Sequence, residues 1–139
     1  MIVLDTNLVS EVLRSEPNPG VVDWLRGVPH PVRRLSAITV GELLQGVFVL
    51  PEGRRRDQVH AGVEGVLLTF SGKVLDVDAR SAPYFAEIRA RRRHTGRPIR
   101  TADAWIAAVC RRWDVPLATR NVKDFEGTGI AVINPWEPA

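Results

Sequence analysis

Cysteine occurs once in the 139 residues, at Cys110, and histidine three times, at His30, His60 and His94, without the spacing a zinc ion needs. A lone thiol excludes an internal disulfide and a cysteine-based zinc site, and it suits a reducing compartment. Long apolar runs are missing too. Asp5 cuts short the opening Ile2-Val3-Leu4, and nothing reaches the ~18 uncharged apolar residues of a bilayer span, so neither a signal peptide nor membrane insertion is expected. The expectation is a soluble, cytoplasmic protein. Glycine-rich phosphate loops and a nucleophile-elbow serine are also absent.

What is present suffices for one core. A chain of this length is one folding unit, 1–139, and with 45% hydrophobic residues it can bury roughly two thirds of its unfolded surface. Nineteen basic residues against 16 acidic ones leave a net charge of only +3, but 17 of the 19 are arginine. They gather at Arg54, Arg55 and Arg56 and at Arg89, Arg91, Arg92, Arg93, Arg97 and Arg100, with too few acids nearby to neutralise them. A polyanion such as RNA is a plausible partner, with Arg91, Arg92 and Arg93 as contacts; the alternative is a solvated helix face. Trp24, Trp105, Trp113 and Trp136 are assigned to packing rather than base stacking.

Apolar periodicity gives alternating elements. A strand at Met1–Leu4 is followed by a helix carrying Leu8, Val9, Val12 and Leu13, then a short helix over 21–26. Strand two spans 34–38, and Thr39-x-x-Glu42 has the pattern of a capping box opening the next helix. A long amphipathic helix then carries Val59, Val63, Val66, Leu67 and Phe70; strand three covers 74–77, and a helix over about 80–93 buries Ala82, Phe85 and Ile88. Thr101 is placed as cap of an apolar helix to Trp113, with strands at 116–119 and 130–133. Such alternation requires crossovers. The expected fold is a three-layer α/β/α sandwich around a mainly parallel sheet of about five strands.

Parallel sheets bind ligands beyond the carboxyl ends of their strands, and four acids fall there. Asp5 ends strand one, Glu42 lies in the first turn after strand two, Asp103 opens the apolar helix, and Asp124 follows strand four. Each alone could be a cap, a dipole complement or a loop acid. Together they make a carboxylate cluster, whose oxygen-only donors suit Mg²⁺ or Mn²⁺ and metal-assisted phosphodiester hydrolysis.

Four segments carry a family resemblance: Ile2-Val3-Leu4-Asp5-Thr6-Asn7, Ser36-Ala37-Ile38-Thr39-Val40-Gly41-Glu42-Leu43, Thr101-Ala102-Asp103-Ala104-Trp105-Ile106-Ala107 and Ala118-Thr119-Arg120-Asn121-Val122-Lys123-Asp124-Phe125. In order and length the chain resembles the PIN-domain ribonuclease toxins of bacterial type II toxin–antitoxin systems, the VapC and FitB-like group, and the closing Ile133-Asn134-Pro135-Trp136 also fits. The resemblance implies a Mg²⁺- or Mn²⁺-dependent endoribonuclease that forms a homodimer and is silenced by a cognate antitoxin. It places the metal-binding, catalytic acids on Asp5, Glu42 and Asp103, with Thr6 as a supporting hydroxyl. Some members carry the fourth acid where this chain has Asn121, others where it has Asp124; Asp124 is taken as the acid and Asn121 as an orienting amide. For an antitoxin helix, Val9, Leu13 and Leu44 are the expected exposed apolar contacts. Two other readings remain: a catalytically idle module that binds nucleic acid or antitoxin, and a phosphatase with Asp5 as nucleophile, although Asn7 stands where the common two-aspartate motif needs its general acid.

Overall fold

The computed structural model describes residues 1–137. Its secondary structure runs β1 (Ile2–Leu4), α1 (Thr6–Val12), α2 (Pro19–Arg26), β2 (Arg33–Ser36), α3 (Ala37–Phe48), α4 (Arg54–Thr69), β3 (Val74–Leu75), α5 (Ala82–His94), α6 (Thr101–Trp113), β4 (Leu117–Ala118) and β5 (Val132–Ile133), with 3-10 turns at His30–Val32 and Val122–Phe125. All five strands are parallel, in the order β3-β2-β1-β4-β5. The strand order therefore reverses at β1, whose neighbours β2 and β4 are reached by crossovers in opposite directions. That reversal opens a crevice beyond the carboxyl end of β1.

Side-chain alternation along the strands sorts the core into two layers. Val3 of β1 and Leu117 of β4 pack with Ile88 of α5 and Ile106 and Val109 of α6. Ile2, Leu4 and Ala118 point to the other face, against Leu8, Val21, Leu43, Val47 and Val63 from α1 to α4. The sheet is thus covered on both sides, as the alternating pattern predicts. Among the described residues no helix is long and apolar enough to cross a membrane.

Several boundaries differ from the sequence reading. Strand two stops at Ser36, because the Ser36 hydroxyl accepts from the Thr39 backbone amide at 3.2 Å and starts α3 at Ala37. Thr39 is therefore inside the helix and Glu42 falls in its second turn, so the capping box expected at Thr39 is replaced by a serine cap. Thr101 is likewise the first helical residue of α6 and supplies no cap bond. Strands three, four and five shrink to two residues each. On α5, Ile88 is buried but Ala82 is exposed; Arg92, one turn beyond Ile88, completes the inward stripe.

Candidate functional site

Asp5 is the last residue before α1 and sits almost fully buried in the crevice beside β1. Its Oδ1 accepts from the Thr6 amide at 2.8 Å, capping α1. Its Oδ2 accepts from the Thr119 hydroxyl at 2.7 Å and from the Asn7 amide at 3.3 Å. Burial pushes the Asp5 carboxyl above its usual range, the Thr119 and Thr6 bonds oppose that, and Glu42 pushes it up again. Capping uses Oδ1 and the crevice contacts use Oδ2, so the cap leaves the second oxygen facing Thr119 and Asn7. Asn7 spends its amide on Asp5 and Thr119, and a carboxamide is in any case no general acid for a phosphatase acting through Asp5.

Glu42 reaches the crevice from α3. The Thr6 hydroxyl donates to its Oε1 at 2.7 Å, and Thr39 Oγ1 lies 3.1 Å from the Thr6 oxygen. A carboxylate is acceptor only, so the one Thr6 proton goes to Glu42. This contact exists because Ser36, not Thr39, caps the helix: Glu42 owes nothing to a capping box. Asp103, in the first turn of α6, is half-buried. Desolvation pushes its carboxyl up to about 6; Arg100 opposes the shift, while Asp5, Asp124 and Glu42 add to it. The other three predicted acids thus all bear on Asp103 electrostatically, and Glu42 bears on Asp5 as well. Asp124 lies exposed on the 3-10 turn after β4, whose position is set by Arg92.

Asn121 is exposed and contributes its backbone amide, donated to Thr119 Oγ1 at 3.1 Å. The three arginines chosen as RNA contacts separate. Arg91 and Arg93 are exposed on α5, but Arg92 is 6% exposed, and its guanidinium donates to the carbonyls of Arg97 (2.6 Å), Asp124 (2.7 Å) and Glu126 (3.0 Å). Arg92 is therefore a strut under the Asp124 turn, almost fully buried and with three of its five N–H donors spent on carbonyls rather than offered to a phosphate; its place four residues after Ile88 carried that signal. Sequence reasoning missed the orienting roles of Thr119, Asn7 and Thr39. Each is a hydroxyl or amide close in sequence to an acid or a strand end, which is the signal that could have found them.

A groove of 590 Å³ opens from Thr6 and Glu42 between α1, α3 and α4, floored by Leu13, Leu43, Val59 and Val63 and flanked by Arg55. Of the apolar contacts expected there, Leu13 is 40% exposed and Leu44 half-buried, but Val9 is core, at 3%. Cys110 is buried in α6 and its thiol is pushed up to about 12, chiefly by desolvation, so it is no nucleophile.

Residues 2–129 match the family model described as PIN domain. The chain is 40% identical over 140 residues to a protein of Sinorhizobium fredii named VapC ribonuclease Y4jK, with all of both chains covered. It is 40% identical over 137 residues to a Neisseria gonorrhoeae protein named toxin FitB, covering 98% of this chain and 99% of that one. The crystal structure of FitAcB from Neisseria gonorrhoeae superposes with a TM-score of 0.93 at 40% identity, over 99% of this chain and all of the matched chain.

Proposed function

Given that the chain belongs to the PIN-domain family, we propose that it is the toxin of a toxin–antitoxin pair, a divalent-metal-dependent endoribonuclease that hydrolyses phosphodiester bonds in RNA. The observation that carries this reading is the half-buried Asp103 carboxyl, pushed up to about 6 chiefly by desolvation and further by the charges of Asp5, Asp124 and Glu42. Like charges gathered in a partly desolvated crevice, with Arg100 as the opposing charge, are the donor set a hard cation would satisfy. Among the described residues no three acidic, histidine or cysteine side chains are clustered tightly enough to chelate an ion alone, so water and a phosphate oxygen would complete the shell. Asp5, Glu42, Asp103 and Asp124 would hold Mg²⁺ or Mn²⁺, which when bound supplies a lowered-pKa water and a Lewis acid for the phosphoryl oxygens.

The remaining work falls to the chain's own groups. Thr119 and Asn7 lock the Asp5 carboxylate in one orientation, and Thr6 does the same for Glu42. Arg92 holds the turn that carries Asp124. The reading is tested by incubating purified protein with single-stranded RNA in Mn²⁺, in Mg²⁺ and in EDTA. Cleavage with either metal, lost in EDTA and in Asp103→Asn, is expected; intact RNA under all conditions would overturn it.

Regulation follows from the same pocket. The similarity to FitB, solved as FitAB bound to a DNA fragment, supports a toxin held by a cognate antitoxin; a homodimeric, cytoplasmic toxin silenced in that complex completes the reading. An amphipathic antitoxin helix fits the groove over Leu13, Leu43 and Val59, and an Arg or Lys extended beyond it would meet the acids. A purified complex should be inactive and weak in Mn²⁺ binding, and both should recover once the antitoxin is removed by denaturation and refolding.

A further inference from the structure

We propose that Arg120 and Trp136 form a nucleotide platform beside the carboxylate crevice, on which one base of a single-stranded RNA stacks while Arg120 holds its phosphate. The proposal rests on the ribonuclease reading above. Arg120 follows Thr119, and its backbone amide donates at 3.2 Å to Oδ1 of Asn7, the residue whose side-chain amide holds Asp5. Its side chain leaves the site and lies over the Trp136 ring, with the guanidinium carbon 5.5 Å from the centroid. A strand gripped at the acids therefore has this pair one residue from the Asp5 network.

The ring is preorganised. Its indole N–H points to Glu11 Oε1 at 3.4 Å, and its backbone amide donates to Asn134 Oδ1 at 3.0 Å. Glu11 is itself almost fully buried and engaged by the Asn18 amide and by Arg14. Trp136 packs against the α1–α4 core layer yet also lines a 430 Å³ cavity with Arg14, Glu16, Pro17 and Arg120, within the size range of small-ligand sites. Trp136 thus both packs on the core and presents part of its surface to the cavity that Arg120 also lines.

Arg120 itself is unspent. It is exposed, and among the described residues its guanidinium has no hydrogen-bond or ion-pair partner, whereas Arg14, Arg92, Arg97 and Arg111 are all engaged with carboxylates or carbonyls. A guanidinium lying on an indole keeps its N–H edge for a phosphate and its outer face for a base. Aromatic and arginine planes are the surfaces on which unpaired bases stack, in a sequence-tolerant way. Of the cavity's acids, Glu11 is engaged and Glu16 is the one that would oppose an anion.

The test is anisotropy of a fluorescein-labelled single-stranded RNA oligonucleotide, titrated in EDTA over a range of salt, with wild-type cleavage in Mn²⁺ measured alongside. Arg120→Gln should weaken binding and lower the slope of log affinity against log salt by about 0.7, one phosphate's worth. Trp136→Leu should weaken binding roughly five- to 150-fold with the slope unchanged. Trp136→Phe, which keeps a stacking face but loses the bond to Glu11, should recover most of that loss; a loss equal to that of Trp136→Leu would show a tether and overturn the stacking role. Arg120→Gln changes an exposed side chain, so it decides the phosphate role even if Trp136→Leu unfolds. Binding and slope unchanged in Arg120→Gln, and binding unchanged in a folded Trp136→Leu, with wild type cutting RNA, would overturn the platform alone and leave the pair to a protein partner. Wild type that neither binds nor cuts RNA would overturn the ribonuclease reading with it.

Discussion

The Thr119 hydroxyl donates to Asp5 Oδ2 at 2.7 Å, joining the ends of β4 and β1 across 114 residues of chain. It also accepts from the Asn7 side chain and the Asn121 backbone, so a single buried oxygen organises three segments around the first acid. Thr119→Val keeps the shape but strips a carboxylate of its donor and leaves two N–H groups without an acceptor. A loss of about 2–3 kcal/mol is expected, and Thr119→Ser should restore most of it. Urea unfolding at pH 7 measures both.

Replacing Asp5 or Asp103 by Ala should lower RNA cleavage by more than about a hundredfold, since each removes a donor to the proposed ion. The Asp103 change should leave the melting temperature unchanged or raised, because it relieves repulsion from three carboxylates. Full-rate cleavage by either variant would remove that residue from the site.

The Asp103 carboxyl titrates at about 6 in the folded protein, above the unfolded value of 3.8, so the folded state holds that proton more tightly. Its contribution to stability is fully present below pH 3.8 and is lost as pH rises through about 6. Burial places Asp5 in the same direction. Metal-free protein should therefore show a component of melting temperature that falls between about pH 4 and 6, and Asp103→Asn should flatten it. Mn²⁺ affinity should rise over the same interval, because a carboxylate must lose its proton to bind.

The neighbouring arginines should behave oppositely to one another. Arg92→Met removes charged donors from three carbonyls and should cost about 2–4 kcal/mol. Arg91→Gln and Arg93→Gln should stay within about 0.5 kcal/mol of wild type in stability. If they meet the RNA backbone, each should lower the salt slope for single-stranded RNA by about 0.7. Parallel thermal melts and RNA titrations separate the two effects.

Cys110 should resist iodoacetamide at pH 8 in the native state and react on unfolding, because burial holds its thiol protonated.

Strand–helix alternation, β-branched runs and acids at strand ends were enough, on the sequence alone, to determine a parallel α/β sandwich and to single out the four acids proposed for its site. Both depend on local periodicity and on the rule that parallel strands end together, so short-range information suffices. What only the tertiary structure decided depends on groups far apart in sequence. Thr39 heads the capping pattern in the sequence, but the cap falls to Ser36, where the ladder to β3 ends and the Ser36 hydroxyl takes the Thr39 amide. Glu42 is thereby left to Thr6, 36 residues away. Arg92 reads as one more surface charge until the carbonyls of the 124–126 turn arrive beneath it, which only the docking of that turn on α5 brings about. Trp136 reads as packing until Arg120 lies over its face, and no periodicity encodes a contact between a strand end and a residue sixteen positions on.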